Sequence, residues 1–322
     1  MNNLVIFSGT ANQDLTKAIC NHIEIPMGNA VVSHFPDGET IVKIEDDVRG
    51  KDCFVVQSTC SPVNANIMEL LIYIDCLRRA SAKSITVVIP YYGYARQDRK
   101  SEGRTPITAR TVADLITWSG ANRVLAMDLH ASQIEGFFNM PVDHLKAFPV
   151  IVSYIKNNIS MENIVILAPD IGSIKIADLY ATELDLELVV IDKKRINGED
   201  TIAQKMVGDV SGKRVLMFDD MISTAGTICS AAVEANKNGA NDISVFATHG
   251  LFTGPAYDRL IGSKINDIYV TDTVPLNKNI KNIEHPTVEV ISIAQLLGEA
   301  ILRIYQYRSV SILLESNYAN YL

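Results

Sequence analysis

Short apolar runs alternate with helix-length segments along almost the whole chain, and this alternation strongly constrains the fold. Ten runs are predicted to be strands, at residues 4–8, 54–57, 85–89, 124–127, 164–167, 188–191, 215–218, 243–247, 268–271 and 288–291. Between them, apolar residues recur three and four positions apart, as at Ile67, Leu70 and Ile74, which predicts amphipathic helices. This order favours an α/β fold with parallel sheets covered by helices. Such sheets bind ligands beyond the carboxyl ends of their strands, so candidate site residues should directly follow the strands.

Length and charge narrow the range of functions. With 322 residues the chain is long enough for two domains, since single cores rarely grow beyond about 250–300 residues. We place the domains at residues 1–147 and 148–299, and the segment from about 300 to 322 is expected to return to the first. The formal net charge of −8 argues against general nucleic-acid binding. We therefore expect anionic ligands to be held by local lysines and arginines.

Two further properties predict a cytoplasmic protein. The five cysteines are scattered without metal-site or disulfide spacing, which favours a reducing compartment and cysteines that act as small buried hydrophobes. No apolar run approaches the roughly 18–20 residues that span a bilayer, and the first residues look like a strand and not a signal peptide. We expect no membrane contact.

The clearest motif covers residues 215–227. Four apolar residues precede Asp219 and Asp220, and after two spacers come Ser223, Thr224, Ala225, Gly226 and Thr227, followed by a helical pattern. A loop that opens a helix offers backbone N–H groups and a positive dipole end to an anion, and the hydroxyls add donors. The two carboxylates would repel a bare phosphate but accept hydrogen bonds from sugar hydroxyls. The motif predicts a ribose 5-phosphate site; a solvated acidic turn is the simpler alternative.

A second motif, at residues 91–100, follows the predicted strand 85–89. Arg96, Gln97, Arg99 and Lys100 suit nucleotide phosphates, because arginine presents a planar fork to two oxygens at once. On composition alone, a solvated basic turn is the better interpretation. However, the string Pro-Tyr-Tyr-Gly-Tyr-Ala-Arg-Gln-Asp-Arg closely resembles the ATP-binding segment of ribose-phosphate pyrophosphokinases, and residues 219–227 resemble the loop that this family shares with phosphoribosyltransferases.

The resemblance extends over nearly the whole chain and implies a fold and a set of site residues. It implies two similar phosphoribosyltransferase-like domains, each a mainly parallel sheet flanked by helices, with ATP on the first and ribose 5-phosphate on the second. The implied ATP-binding residues are Phe35, Asp37, Gly38, Glu39, Arg96, Gln97 and Arg99. The metal-linked residues, for Mg²⁺, are His130 and Asp170. Asp170 is the more natural ligand because Mg²⁺ prefers oxygen, a lone histidine is more often structural, and Asp128 could equally support a ligand without binding the ion itself. The catalytic residues are Lys193 and Arg195, on a mobile loop that closes over ATP; Arg195 also faces ribose 5-phosphate.

The activity implied is transfer of the β,γ-diphosphoryl group of MgATP to the 1-hydroxyl of ribose 5-phosphate, which yields AMP and 5-phosphoribosyl 1-diphosphate for nucleotide biosynthesis. Two alternatives stay open: a phosphoribosyltransferase that consumes that diphosphate, and a catalytically silent regulatory paralogue. The family also implies a homohexamer built from dimers, with phosphate and ADP as effectors at subunit interfaces. The corresponding residues are Arg49, Arg104, Ser309 and Ser311.

The chain departs from the family pattern at three positions near the predicted site. Ser223 stands where the family usually has Asp, Ser173 replaces a usual second Gly after Asp170, and Ile176 replaces a usual Arg. These changes bear on substrate affinity and turnover. Because Lys193, Arg195, Asp219 and Asp220 are all present, we expect an active enzyme.

Overall fold

The described part of the chain, residues 3–100, 102–195 and 202–314 of a computed structural model, consists of alternating strands and helices. For residues 193–195 and 202–205 the description covers the backbone alone. In chain order the strands are β1 Leu4–Ser8, β2 Ala30–His34, β3 Thr40–Ile44, β4 Asp52–Val56, β5 Ser84–Ile89, β6 Arg123–Met127, β7 Val142–Leu145, β8 Ile164–Ala168, β9 Glu187–Arg195, β10 Ile202–Val207, β11 Arg214–Ile222, β12 Asp242–Gly250, β13 Asp267–Thr271 and β14 Thr287–Ile291. The helices are α1 Gln13–His22, α2 Val63–Arg79, α3 Thr108–Ser119, α4 Phe148–Asn158, α5 Ile174–Leu184, α6 Gly226–Lys237, α7 Ala256–Ile261, α8 Lys278–Lys281 and α9 Ala294–Tyr305.

Two sheets carry the fold. The first has five parallel strands in the order β1-β4-β5-β6-β7. The second has the order β10-β9-β8-β11-β12-β13-β14 and is parallel except for the edge strand β10. Central strands such as β8 are buried along their whole length, as expected when helices cover both faces. The predicted α/β fold class is therefore confirmed.

The two halves share one hydrophobic core. A single cluster of buried side chains runs from Ile6 and Leu125 in the first sheet to Ile166 and Phe218 in the second. Helix α9, near the end of the described chain, packs back on α1 of the first half. Gly298 permits this close contact, because a Cβ atom there would lie 2.8 Å from the ring of His22. The domain limits 1–147 and 148–299 stay a prediction.

Polar contacts cross between the halves at the carboxyl ends of the strands. The Ser58 hydroxyl donates to the carbonyl of Thr273 at 2.5 Å, and the Asn12 side chain donates to the carbonyl of Asp272 at 2.7 Å. The ring of Tyr91 meets that of buried His249 edge-on, at a centroid distance of 5.0 Å. Both sets of strand ends therefore face one junction, where ligand sites of α/β sheets are expected.

Each of the ten predicted strands overlaps an observed strand, but four strands were not predicted. Strands β2 and β3 form a half-buried hairpin, and β7 is a four-residue strand at the edge of the first sheet. Strand β10 pairs with the end of β9, so that the backbone of Lys193–Arg195 is part of a strand and not of a loop. Strand β11 also extends four residues past the predicted end, through Asp219 and Asp220.

Two simpler expectations can be checked directly. All five cysteines are free; three are buried and two are half-buried. Among the described helices, none combines the length and the apolar character that a membrane span requires.

Candidate functional site

The candidate phosphate site is the turn between strand β11 and helix α6. Three residues, 223–225, separate the two elements, and Ala225 has φ 59°, in the left-handed region where a small side chain is best tolerated. The first turn of α6 has N–H groups without partners inside the helix, which can bind an anion. The turn lines a cavity of about 250 Å³ and brings together all five predicted phosphate-binding residues, Ser223, Thr224, Ala225, Gly226 and Thr227.

The acid pair lines the same cavity and is electrostatically asymmetric. Asp219 accepts a hydrogen bond from the amide N–H of Asp220 at 2.8 Å, and Asp220 Oδ2 lies 2.6 Å from His130 Nδ1. Burial and the neighbouring charge of Asp220 raise the pKa of Asp219 to about 8. Burial also opposes ionisation of Asp220, but the hydrogen bond from His130 and its charge outweigh burial and lower the pKa of Asp220. Near neutral pH the pair therefore combines one carboxylate acceptor with one carboxyl that can also donate.

His130 is the point where three cavities meet. It follows strand β6 of the first half, and its hydrogen bond to Asp220 joins the two halves across the site. The same hydrogen bond raises the pKa of His130, although burial opposes this. His130 lines the phosphate-site cavity, a cavity of about 550 Å³ beside the first sheet, and one of about 580 Å³ beside α5. A ligand in any of the three therefore touches the same side chain.

The cationic segment after β5 forms the wall of the 550 Å³ cavity. Arg96, Gln97 and Arg99 line it together with His130 and Gln133. Gln97 is held in place, because its side-chain oxygen accepts a hydrogen bond from the Thr108 hydroxyl at 2.5 Å. Arg96 also lines the phosphate-site cavity, and its guanidinium donates to the Ser223 hydroxyl at 3.4 Å. The structure therefore places two arginines and the phosphate turn on one continuous surface.

Asp170 lies on the 580 Å³ cavity with His130, Asp219 and Asp220. Its carboxylate caps a short 3₁₀ helix, Ile171–Ser173, by accepting the amide N–H of Ser173 at 3.0 Å, while the Ser173 hydroxyl accepts the amide N–H of Asp170. Ser173 therefore has a local structural role in place of the usual glycine. Ile176 lines the same cavity near two aromatic rings, Phe148 and Tyr180. One wall of this cavity is thus apolar where the family pattern has an arginine.

The predicted metal residues do not form a closed metal site. In residues 3–100, 102–195 and 202–314, no three Asp, Glu, His or Cys side chains converge as a ready set of ligands. His130 and Asp170 face one cavity, and His130 is already hydrogen-bonded to Asp220. Mg²⁺ prefers oxygen ligands, keeps several waters and commonly binds through one or two carboxylates together with substrate phosphates, so Asp170 is the better-suited ligand of the two. The metal role of both residues stays a prediction.

Lys193 and Arg195, the predicted catalytic residues, lie at the end of β9. Their backbones pair with those of Gln204 and Ile202 in β10, and their side chains are outside the described part of the structure. The adjoining residues 196–201, which include part of the predicted mobile loop, are outside it too. Their catalytic role stays a prediction.

The predicted ATP-binding residues Phe35, Asp37, Gly38 and Glu39 occupy the tip of the β2–β3 hairpin. Gly38 takes φ 94°, which lets the amide N–H of Gly38 bond to the carbonyl of Phe35 and close the turn. Asp37 accepts the amide N–H of Glu39 at 3.2 Å. All four residues are exposed, and none of them lines the three cavities that meet at His130. Their role in ATP binding stays a prediction.

The four predicted regulatory residues are exposed and lie in two regions. Arg49 precedes β4, and Ser309 and Ser311 follow α9; Lys83 connects these segments by pairing with Asp52 at 3.0 Å and donating to the Tyr307 hydroxyl at 3.4 Å. Arg104 instead precedes Thr105, which lines the 550 Å³ cavity at the opposite ends of the strands. One copy of the chain therefore does not gather them into a single site.

Arg259 contacts the backbone of the phosphate turn, and the sequence did not suggest this role. It lies on the short helix α7, and its guanidinium donates to the carbonyl of Thr224 in the phosphate turn at 2.9 Å. Arg96 contacts the turn from the other half, so the turn has an arginine on each side. No local pattern marks Arg259, because it is one surface cation among many and its partner is 35 residues away.

The protein is therefore of the α/β class, with a phosphate-type turn and an acid pair on one half and a cationic segment on the other. Residues 4–120 match the model of the N-terminal domain of ribose phosphate pyrophosphokinase, and residues 200–315 match that of the phosphoribosyl synthetase-associated domain. The chain belongs to the ribose-phosphate pyrophosphokinase family.

Individual relatives cover nearly the whole chain. It is 50% identical to a ribose-phosphate pyrophosphokinase of Rhodopirellula baltica, with 97% of this chain and 98% of that protein covered. It is 47% identical to the enzyme of that name from Caldanaerobacter subterraneus, with 96% and 97% covered. The crystal structure of phosphoribosylpyrophosphate synthetase from Mycobacterium smegmatis superposes with a TM-score of 0.88 at 39% identity, covering 95% of this chain and 99% of that one.

Proposed function

We propose that the chain transfers the β,γ-diphosphoryl group of ATP to the 1-hydroxyl of ribose 5-phosphate, releasing AMP and 5-phosphoribosyl 1-diphosphate. The observation that carries this proposal is the junction between the halves. His130 reaches Asp220 and Arg96 reaches Ser223, so a phosphate-type cavity on each half shares the same two side chains. Binding of one sugar phosphate alone would not require the second cationic cavity, so the second cavity supports a second phosphate-bearing substrate.

The proposed binding mode follows from the contacts. The 5-phosphate lies on the turn 223–227, where helix N–H groups and hydroxyls donate to it. Asp219 and Asp220 hold the ribose hydroxyls and thereby fix the direction of the 1-hydroxyl. The ATP phosphates lie along Arg96 and Arg99.

In the reaction the 1-hydroxyl oxygen bonds to the β-phosphorus, the proton of that hydroxyl is released, and the bond from the phosphorus to the oxygen bridging to the α-phosphate breaks. Charge moves onto the leaving oxygen of AMP, so cations near it lower the barrier. Lys193 and Arg195 are proposed to supply these cations from the end of β9, and Arg195 to face the sugar phosphate as well. Because Arg96 lines both cavities, it is placed to hold donor and acceptor together.

We assign Mg²⁺ as the cofactor, held by His130 and Asp170 beside the ATP phosphates. When bound, the ion neutralises charge on the phosphate oxygens. Phosphate and ADP are proposed as effectors through Arg49, Arg104, Ser309 and Ser311, and the assembly as a cytoplasmic homohexamer built from dimers. Light scattering with and without phosphate tests the assembly.

The test of the main proposal is incubation of the purified protein with MgATP, ribose 5-phosphate and inorganic phosphate, followed by quantification of AMP. The proposal predicts AMP that appears only when both substrates are present. A phosphoribosyltransferase makes no AMP under these conditions, and a silent regulatory paralogue makes none although it binds ATP. Absence of AMP from protein with a cooperative unfolding transition therefore rejects the proposed activity.

A further inference from the structure

The imidazole of His144 is buried beside the segment that carries His130. His144 lies on strand β7, and its side chain is only 5% exposed. Its Nε2 accepts the amide N–H of Leu129 at 2.9 Å, and the Lys146 ammonium lies 2.9 Å from the same nitrogen. Its Nδ1 lies 2.5 Å from the carboxylate of Glu135. Neither the proposed function nor the sequence patterns give this residue a role.

These contacts determine the tautomer of His144. An amide N–H and an ammonium can only donate, so the nitrogen that both of them approach carries no proton. The single ring proton must then be on Nδ1, where it is donated to Glu135. The Glu135 carboxylate thus keeps Nε2 of His144 free to accept. Through Nε2 the ring orients the peptide between Asp128 and Leu129.

That peptide belongs to a three-residue strap, residues 128–130, with an anchor at each residue. Asp128 accepts hydrogen bonds from the Ala147 amide at 2.8 Å and from the Thr248 hydroxyl of the second half at 2.7 Å. Leu129 is held by His144, and His130 bonds to Asp220 of the second half. Asp128 has φ 37°, a left-handed value that is strained for a non-glycine residue and persists only where the surroundings hold it.

We infer that His144 is a positioning residue for the reaction: by accepting the Leu129 amide it holds the strap so that His130 points at Asp220, where the three cavities meet. The catalytic part of this inference rests on the proposed function. The structural part is the hydrogen bond by which His144 holds the Leu129 amide, here called the brace, and it does not depend on the proposed function. Glu135 serves the brace by keeping the ring proton on Nδ1.

Two substitutions of similar polarity separate the brace from a general structural role. In His144→Gln the side-chain oxygen reaches about as far as Nε2 and can still accept the Leu129 amide. In His144→Asn the side chain reaches only about as far as Nδ1, so it can donate to Glu135 but leaves Leu129 without its acceptor. We expect kcat to fall by about 10–100-fold in His144→Asn and by less than about threefold in His144→Gln. KM for ribose 5-phosphate should change by a smaller factor than kcat does, because His144 contacts neither the phosphate turn nor the acid pair.

Hydrogen exchange and imidazole ¹⁵N shifts provide readouts that do not depend on activity. The Leu129 amide should be protected in the wild-type protein and in His144→Gln, and should exchange at least about tenfold faster in His144→Asn. The wild-type ring should show protonated Nδ1 and bare Nε2. The opposite tautomer overturns the inference even if no variant folds. If the Leu129 amide exchanges as expected but no AMP is formed, the proposed activity fails and the brace does not.

A double-mutant cycle tests whether His144 acts through His130. If it does, His144→Asn should lower kcat by less than about twofold in a His130→Ala background, since the group that it positions is already absent. An equal fold-loss in both backgrounds, or equal losses for the Gln and Asn variants, overturns the positioning role.

Discussion

The two carboxyls of the acid pair are predicted to affect stability in opposite directions. The pKa of Asp219 is raised from 3.8 to about 8, so the folded protein binds a proton that the unfolded chain releases. At about 1.4 kcal/mol per pH unit, this difference corresponds to about 5–6 kcal/mol of destabilisation, absent below pH 4 and complete above pH 8. The two carboxyls titrate as a pair, so only part of this destabilisation belongs to Asp219 alone. We therefore expect Asp219→Asn to recover about 2–3 kcal/mol at pH 8.

Asp220→Asn is the matched comparison. Asp220 has a lowered pKa through its contact with His130, so its ionised form stabilises the fold above its unfolded pKa, and this stability is lost as the pH falls. Removing the charge should cost about 1–3 kcal/mol at pH 7, the value of a hydrogen bond to a charged group. In Asp219→Asn the Asn oxygen can still accept the Asp220 amide, so no backbone group loses its partner.

Urea unfolding between pH 4 and pH 8.5, without metal or nucleotide, measures both effects. The stability gain of Asp219→Asn should be small at pH 4 and should grow towards pH 8, while its affinity for ribose 5-phosphate falls. A variant that is less stable than the wild-type protein at pH 8, or that shows the same gain at pH 4 and pH 8, refutes the electrostatic reasoning.

Three further predictions concern the reaction. Lys193→Ala should lower kcat by about 10²–10³-fold while ATP affinity, measured by calorimetry, changes little. If kcat and ATP affinity fall by the same factor, Lys193 does not act specifically in the transition state. Arg259→Ala should raise KM for ribose 5-phosphate by about tenfold, and Arg259→Lys by less than about threefold, because the cation beside the Thr224 carbonyl is kept; an unchanged KM in the alanine variant contradicts the assignment. Ala225→Val should weaken phosphate binding, since a β-branched residue at φ 59° costs about 1–3 kcal/mol, whereas Ala225→Gly should bind normally; equal affinities of the two variants exclude strain as the cause.

Most of the parallel strands could be predicted because they read as continuous apolar runs, as in the fully buried Ile164–Ala168, whereas the short parallel edge strand β7 was missed. The strands that were missed lack this signal. The β2–β3 hairpin is only half-buried, and the ATP-binding residues at its tip were identified by resemblance without the strands that flank them. Lys193–Arg195 carry a charge run that is typical of loops, and only the antiparallel partner β10 shows that their backbone is extended.

The site could be predicted where its parts are local. Residues 223–227 are contiguous, so their order alone predicted a phosphate turn. The contacts that make one site from two halves are not local: His130 and Asp220 are 90 residues apart, and Asp128 and Thr248 are 120 apart. Patterns within a single sequence do not show which residues so far apart along the chain are in contact. The roles of Arg259 and His144 therefore depend on the three-dimensional structure.

The most direct measurement of the central claim is a ³¹P NMR spectrum of the protein turning over MgATP and ribose 5-phosphate. Transfer of an intact diphosphoryl group predicts that AMP and a sugar-linked diphosphate appear together in equal amounts. Formation of ADP with a sugar monophosphate ester would mean that a single phosphoryl group is transferred, and would contradict the claim.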